Sequence, residues 1–317
     1  MRQAFDIQQS AAQRGLRIGF LDLSGWDFHA LTPDSAPLGG TQSALCYLAR
    51  ALARRGHEVY MATLVSVPGD YGGVHCRYLP AMTATALRAL KLDVCVCVLG
   101  VGAGTQVREA VEAGTRVVLW TAHAADQKGV QELRRRDELE AYDGFMFVSQ
   151  WQADGFAKAF RTPRERMAVV GYGMAPAFEN MYPAETRLAA RKAVPPVLAY
   201  TSTPFRGLDL LLEAFPRIRS AIPGARLRVF SSMKVYRVSA EEDQARYGGL
   251  YDRCRRMEGV EYVGSVGQGE LARHMREAAF LAYPNTFAET FCIAAMEALA
   301  AGCQVVSSRL GALPETA

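Results

Sequence analysis

Short apolar runs rich in β-branched residues alternate with amphipathic helical patterns along nearly all of the chain, and this alternation constrains the fold most. Consecutive parallel strands need a crossover, usually a helix, so the order predicts parallel sheets with helices on both faces. Strands are expected at Arg17 to Leu23, Glu58 to Thr63, Asp93 to Leu99, Arg116 to Trp120, Gly144 to Val148 and Met167 to Val170. Helices are expected over Thr41 to Arg55, ending at Gly56, and over Gln150 to Phe160. An irregular stretch from Gly171 to Pro196, rich in Gly and Pro at its two ends, marks a domain junction. A second series follows, with strands at Val197 to Thr201, Arg226 to Ser231, Val260 to Val263, Phe280 to Tyr283 and Gln304 to Ser307. Helices between them are expected at Leu208 to Arg217, Ala240 to Met257 and Glu270 to Ala279, with one more before the last strand. The expectation is two Rossmann-like domains, 1–175 and 176–317, facing across a cleft where a ligand would sit.

A length of 317 residues accommodates two such cores. The net charge of +4 is too slight to argue for nucleic acid, and no nucleic-acid motif is present. Residues Met1 to Ser10 lack the apolar core of a signal peptide, and no window is long enough to span a bilayer. The seven cysteines form no C-x-x-C pair, and Cys95 and Cys97 alternate with valines as small core residues would. Reduced thiols in a cytoplasmic protein are expected.

The run from Tyr283 to Gly302 carries the strongest chemical signal. Glu289 stands at the mouth of an apolar helix and Glu297 lies within it, eight positions on. With the helix starting near Thr290, the two carboxylates would lie about 80° apart in azimuth and address one cleft. A carboxylate in so apolar a helix must meet a polar partner. An internal Arg, or an edge position near solvent, would satisfy either Glu equally well.

Three other places offer candidates. Gly39 and Gly40 open the first long helix, where backbone N–H groups could meet an anion; a plain loop-to-helix turn explains them as well. Thr201, Ser202 and Arg206 lie in the turn from a strand into the helix beginning at Leu208, and a surface Arg beside a turn is the alternative. His123, with Asp126 as a weaker candidate, follows a buried strand at the end where parallel sheets place ligands; a structural His is the alternative. Leu99 to Thr105 reads G-x-G-x-G, not G-x-G-x-x-G. The acidic ribose ligand expected about 20 residues later is missing, since Val117 to Thr121 occupies that place, so an ordinary turn is expected.

Glu289 and Glu297, with Pro284, Phe291 and the small-residue run that follows, resemble the E-x7-E element of retaining GT-B glycosyltransferases of the family 4 type. Gly311 to Glu315 is similar to that family's Gly-x-x-Pro-Glu stretch. The resemblance implies a GT-B fold, with the second domain stopping short of the family's usual C-terminal elements. It implies that Glu289 approaches hydroxyls of a donor sugar and Glu297 binds the nucleotide ribose. The backbone of Thr290, Phe291 and Cys292 would offer N–H groups to sugar and phosphate. It further implies that Arg206, in the place of the family's Lys, binds the diphosphate, with Thr201 or Ser202 where an early cation or Ser usually stands. The Gly39–Gly40 loop would approach the donor, and His123 would contact its sugar.

The function so implied is transfer of a sugar from a nucleoside diphosphate sugar to an acceptor hydroxyl with retention of configuration. No metal is expected, because Arg206 and backbone dipoles take its place. The alternative is a nucleotide or nucleotide-sugar binding module without transferase activity. The acceptor, saccharide or lipid-linked, is unspecified. Basic clusters such as Arg134 to Arg136 and Arg161 to Arg166 are usually solvated surface. The resemblance implies the alternative of a peripheral contact at the inner face of the membrane, as some members of that family make.

Overall fold

The alternating pattern becomes two sheets. A computed structural model describes residues 15–186 and 192–317. The opening Met1 to Ser10 lies outside the described residues. Contacts divide the chain into two units, one comprising the residues up to Leu31 and Leu45–Gly173, the other Thr32–Ala44 and Met174–Ala317.

The first unit holds β1 (Arg17–Asp22), β2 (Glu58–Thr63), β3 (Gly69–Tyr71), β4 (Val74–Tyr78) and β5 (Val94–Val98). It continues with β6 (Arg116–Trp120), β7 (Gly144–Phe147) and β8 (Met167–Val169). Their order is β3-β4-β2-β1-β5-β6-β7-β8, parallel except for the antiparallel β3–β4 pair at one edge. That edge hairpin turns through Gly72 and Gly73, both at positive φ, and has no counterpart in the expected strands. Cys95 and Cys97 are fully buried in β5, as their alternation with valine implies.

The glycine-rich turn after β5 is an ordinary turn with its own anion. Glu138, fully buried, accepts hydrogen bonds from the backbone N–H of Gly102 at 2.6 Å and Gly104 at 3.0 Å. Thr105 N–H donates to its other oxygen at 3.4 Å, and Tyr142 Oη donates at 2.6 Å. The donors that would cradle a phosphate are taken by a carboxylate of the same chain.

The second unit holds β9 (Val197–Tyr200), β10 (Arg226–Val229), β11 (Val260–Tyr262), β12 (Ala278–Tyr283) and β13 (Gln304–Ser307). All are parallel, in the order β11-β10-β9-β12-β13. The order reverses between β9 and β12, and ligands of such sheets bind beyond the carboxyl ends of the strands at that switch point. The helix entered from β9 runs Leu208–Ala221, longer than expected. Pro216 forfeits one helical hydrogen bond, but burial of Leu208, Leu211, Leu212 and Phe215 holds the helix together through it. One face of this sheet is less covered than parallel strands usually are. A groove of about 630 Å³, lined by Leu198, Ile218, Phe280 and Val306 among others, runs along it.

Candidate active site

Two loops meet at the switch point of the second unit. One follows β9 and carries Thr201, Ser202 and Arg206; the other follows β12 and carries Pro284 to Glu289. Gly207 joins them closely, because at φ +100° a Cβ there would stand 2.1 Å from the Pro284 carbonyl oxygen. Only glycine fits so near a backbone oxygen in that conformation. Asn285 shapes the second loop by accepting from Phe287 N–H at 2.9 Å, and Ser308 Oγ donates to the Asn285 carbonyl at 2.8 Å.

At the meeting point Arg206 Nη1 pairs with Glu289 Oε1. Both side chains are well buried, at 17% and 7% exposure. Tyr283 Oη donates to the same carboxylate at 2.5 Å and lies 3.4 Å from Ser202 Oγ. Arg206 Nη2 donates to Tyr236 Oη at 3.1 Å, and its guanidinium lies 4.4 Å from the centre of the Phe287 ring. Burial opposes the Arg206 charge. The surrounding Tyr236, Glu289 and Tyr283 nevertheless hold its pKa above the ordinary guanidinium range. Burial and the Glu289 charge push the Tyr283 phenol up, so it remains a proton donor to the carboxylate. The bland reading of Arg206 as a surface residue does not describe this geometry.

Glu289 is not on the helix. The helix runs Ile293–Ala300, with Cys292 ahead of it at φ 81°, a left-handed conformation that cannot continue a helix backward. Glu289 instead forms a bridge with Gly311, and its carbonyl accepts from Ala312 N–H at 2.7 Å. A Cβ on Gly311 would fall 2.3 Å from that carbonyl oxygen, which accounts for a glycine there. The expected start at Thr290, and the azimuth argument built on it, are therefore corrected: the bridge holds Glu289 extended. Thr290 and Cys292 are buried and Phe291 half-buried in the three-residue link between bridge and helix. Burial lifts the Cys292 thiol to about 12.

Glu297 is inside the helix and only 5% exposed. Burial raises its pKa to about 8, opposed by a hydrogen bond from the Ala175 backbone. Among the described residues it has no cationic partner, so the internal-Arg alternative applies to Glu289 and not to Glu297. Gly39 and Gly40, also in the second unit, stand at the start of helix Gly40–Arg54. A Cβ on Gly40 would approach Ile293 Cδ1 to 3.1 Å, so this turn packs beside the first residue of the Glu297 helix.

His123 belongs to the first unit, just beyond β6. Its Nδ1 lies 3.3 Å from Thr121 Oγ1, and burial lowers its pKa, favouring the neutral ring. Gln152 pins this strand end by donating to the carbonyls of Thr121 at 2.9 Å and His123 at 2.8 Å, while accepting from Val148 N–H at 2.8 Å. Asp126 lies in the turn that follows His123. Among the described residues no group of three His, Cys, Asp or Glu side chains is placed to hold a metal ion. Sequence reasoning overlooked Tyr283, Tyr236 and Gln152. Tyr283 ends a strand directly before Pro284, a readable position; Tyr236 sits in a short 3-10 turn with no distinguishing pattern.

Residues 195–317 match the family model described as glycosyl transferases group 1. The match covers the whole switch-point site. A D-inositol 3-phosphate glycosyltransferase of Streptomyces scabiei is 28% identical over 186 residues, 56% of this chain and 41% of the relative. The chain thus matches less than half the length of that curated relative. Among solved structures, sucrose-phosphate synthase from Thermosynechococcus elongatus superposes with a TM-score of 0.67 at 18% identity, over 94% of this chain and 82% of the other. Anabaena HepE, solved in complex with UDP-glucose, gives a TM-score of 0.65 at 15% identity, over 95% and 82%. The fold is that of the GT-B glycosyltransferases, with two Rossmann-like units as the alternation implied.

Proposed function

We propose that this chain transfers a sugar from a nucleoside diphosphate sugar to an acceptor hydroxyl with retention of anomeric configuration. The observation that carries the reading is the buried Arg206–Glu289 pair at the β9/β12 switch point, within the segment matching glycosyl transferases group 1. Arg206 can fork two diphosphate oxygens and stabilise the charge that develops as the diphosphate leaves. Glu289 faces the sugar hydroxyls and Glu297 the ribose, with the Thr290 to Cys292 backbone and the Gly39–Gly40 turn alongside. Thr201 and Ser202 border the phosphates. No metal is required, since a fixed guanidinium and backbone N–H groups do its work. The acceptor proton passes to the departing diphosphate oxygen on the same face of the sugar, which is how configuration is kept without a strong protein base.

That all seven cysteines are buried and outside disulfide bonds fits a reducing, cytoplasmic setting. No helix among the described residues is long and apolar enough to cross a membrane. A peripheral membrane contact through Arg134 to Arg136 has less support, because Arg135 pairs with Asp137 and Glu132 and Arg136 with Glu140.

The test is turnover. The chain, incubated with a panel of nucleotide sugars and saccharide or lipid-linked acceptors, should release nucleoside diphosphate. Proton NMR of the product should show the donor's own anomeric configuration. Inverted product would rule out retention, and binding without turnover across the panel would favour a binding module.

A further inference from the structure

Arg206 and Glu289 neutralise one another in the site assigned above to the donor's diphosphate and sugar. Both of Arg206's terminal nitrogens are engaged, one by Glu289 and one by Tyr236, while its Nε is buried without a hydrogen-bond partner. An incoming diphosphate therefore meets a closed ion pair, with a carboxylate that repels it beside the cation that would attract it. Drawing Arg206 onto the phosphates leaves Glu289, 6% exposed, holding a charge with Tyr283 Oη as its remaining side-chain donor among the described residues. Removing one partner from a buried pair is strongly unfavourable unless new donors replace it. Sugar hydroxyls are such donors, and hydrogen bonds to an ionised carboxylate are the strong kind. A bare nucleoside diphosphate brings only the hydroxyls of its ribose, which are assigned to Glu297 and not to Glu289.

We infer that the Arg206–Glu289 pair makes the site select the intact nucleotide sugar over the spent nucleoside diphosphate. The pair opens at full cost for the nucleotide alone and at reduced cost for the donor, and its re-formation expels the product. Tyr283 anchors Glu289 through the exchange, so the carboxylate waits in place for the sugar. This rests on the nucleotide-sugar reading of the site.

Calorimetric titration of UDP, GDP, ADP and dTDP, each beside its hexose conjugate, tests it on wild type and Glu289→Gln. The wild type should prefer the conjugate of its own nucleotide. Glu289→Gln, which frees Arg206, should bind the bare diphosphate about tenfold more tightly or better, in line with release of one charge-assisted hydrogen bond. The preference for the conjugate should then vanish. A variant that binds the bare diphosphate no more tightly than wild type overturns the inference while leaving the nucleotide-sugar reading intact. Failure of the wild type to bind any of the eight compounds counts against that reading itself, and the inference falls with it. Circular dichroism confirms folding, and Glu289→Ala supplies the same comparison if the Gln variant melts early.

Discussion

Arg206→Met should destabilise the second unit by about 3–5 kcal/mol, the usual effect of stranding one charge of a buried pair. Glu289 would keep Tyr283 as a donor but lose its cation in a place nearly closed to water. The methionine fills the space against Phe287 without supplying charge. Adding Glu289→Gln to the same chain should recover most of the loss, because no unpaired charge remains. Urea unfolding of the two single variants and the double variant measures the coupling directly. Additive effects would mean that the pair is open in solution.

Glu297 should make stability fall as pH rises. Its folded pKa of about 8 lies above the ordinary 4.5, so the native state holds the proton more tightly than the unfolded chain. The native state is therefore favoured most below the unfolded value and loses that advantage as pH climbs through the folded one. By about pH 9 the difference amounts to a few kcal/mol, at roughly 1.4 kcal/mol per unit. Glu297→Gln should flatten this slope and be the more stable protein in alkali. In its proposed role as the ribose contact, the same group ties nucleotide affinity to protons. Ribose hydroxyls donate to the ionised carboxylate, so binding near neutrality should expel a proton. Titrations in buffers of different ionisation enthalpy count that proton, and Glu297→Gln should release none. A wild type whose binding heat is independent of buffer would show that Glu297 is not the ribose contact.

The strand–helix alternation follows from features visible in the chain, because each βα unit announces itself by local periodicity. The order of strands within each sheet is instead set by long-range pairing that no local pattern carries. Helix Gln150–Phe160 and strands β2, β6 and β13 begin and end where their patterns do. The edge hairpin β3–β4 was invisible because its strands are only three and five residues long and mix polar and apolar residues, although Val74 and Cys76 of β4 are fully buried. At the site, residue type and spacing singled out Glu289 and Glu297, while Arg206 came from the family resemblance alone. What they could not convey was a partnership 83 positions apart, set by two loops converging at a switch point. The left-handed turn at Cys292 was equally hidden, since nothing in an apolar run signals a non-glycine residue at positive φ. Long-range partners decide such positions, and local pattern carries no trace of them. Glu138 is the converse case, where a glycine-rich turn that resembles a phosphate loop is filled by a carboxylate more than thirty residues away.

In the proposed site, the switch point of the second unit holds a nucleoside diphosphate sugar through Arg206. The most direct measurement is the dissociation constant of the donor identified by turnover, for Glu289→Gln and for Arg206→Ala/Glu289→Gln, which differ only at Arg206. Loss of a bidentate contact to phosphate should weaken binding on the order of a hundredfold, with the unfolding midpoint close to that of the wild type. Equal affinity in the two proteins would contradict the claim and move the diphosphate elsewhere.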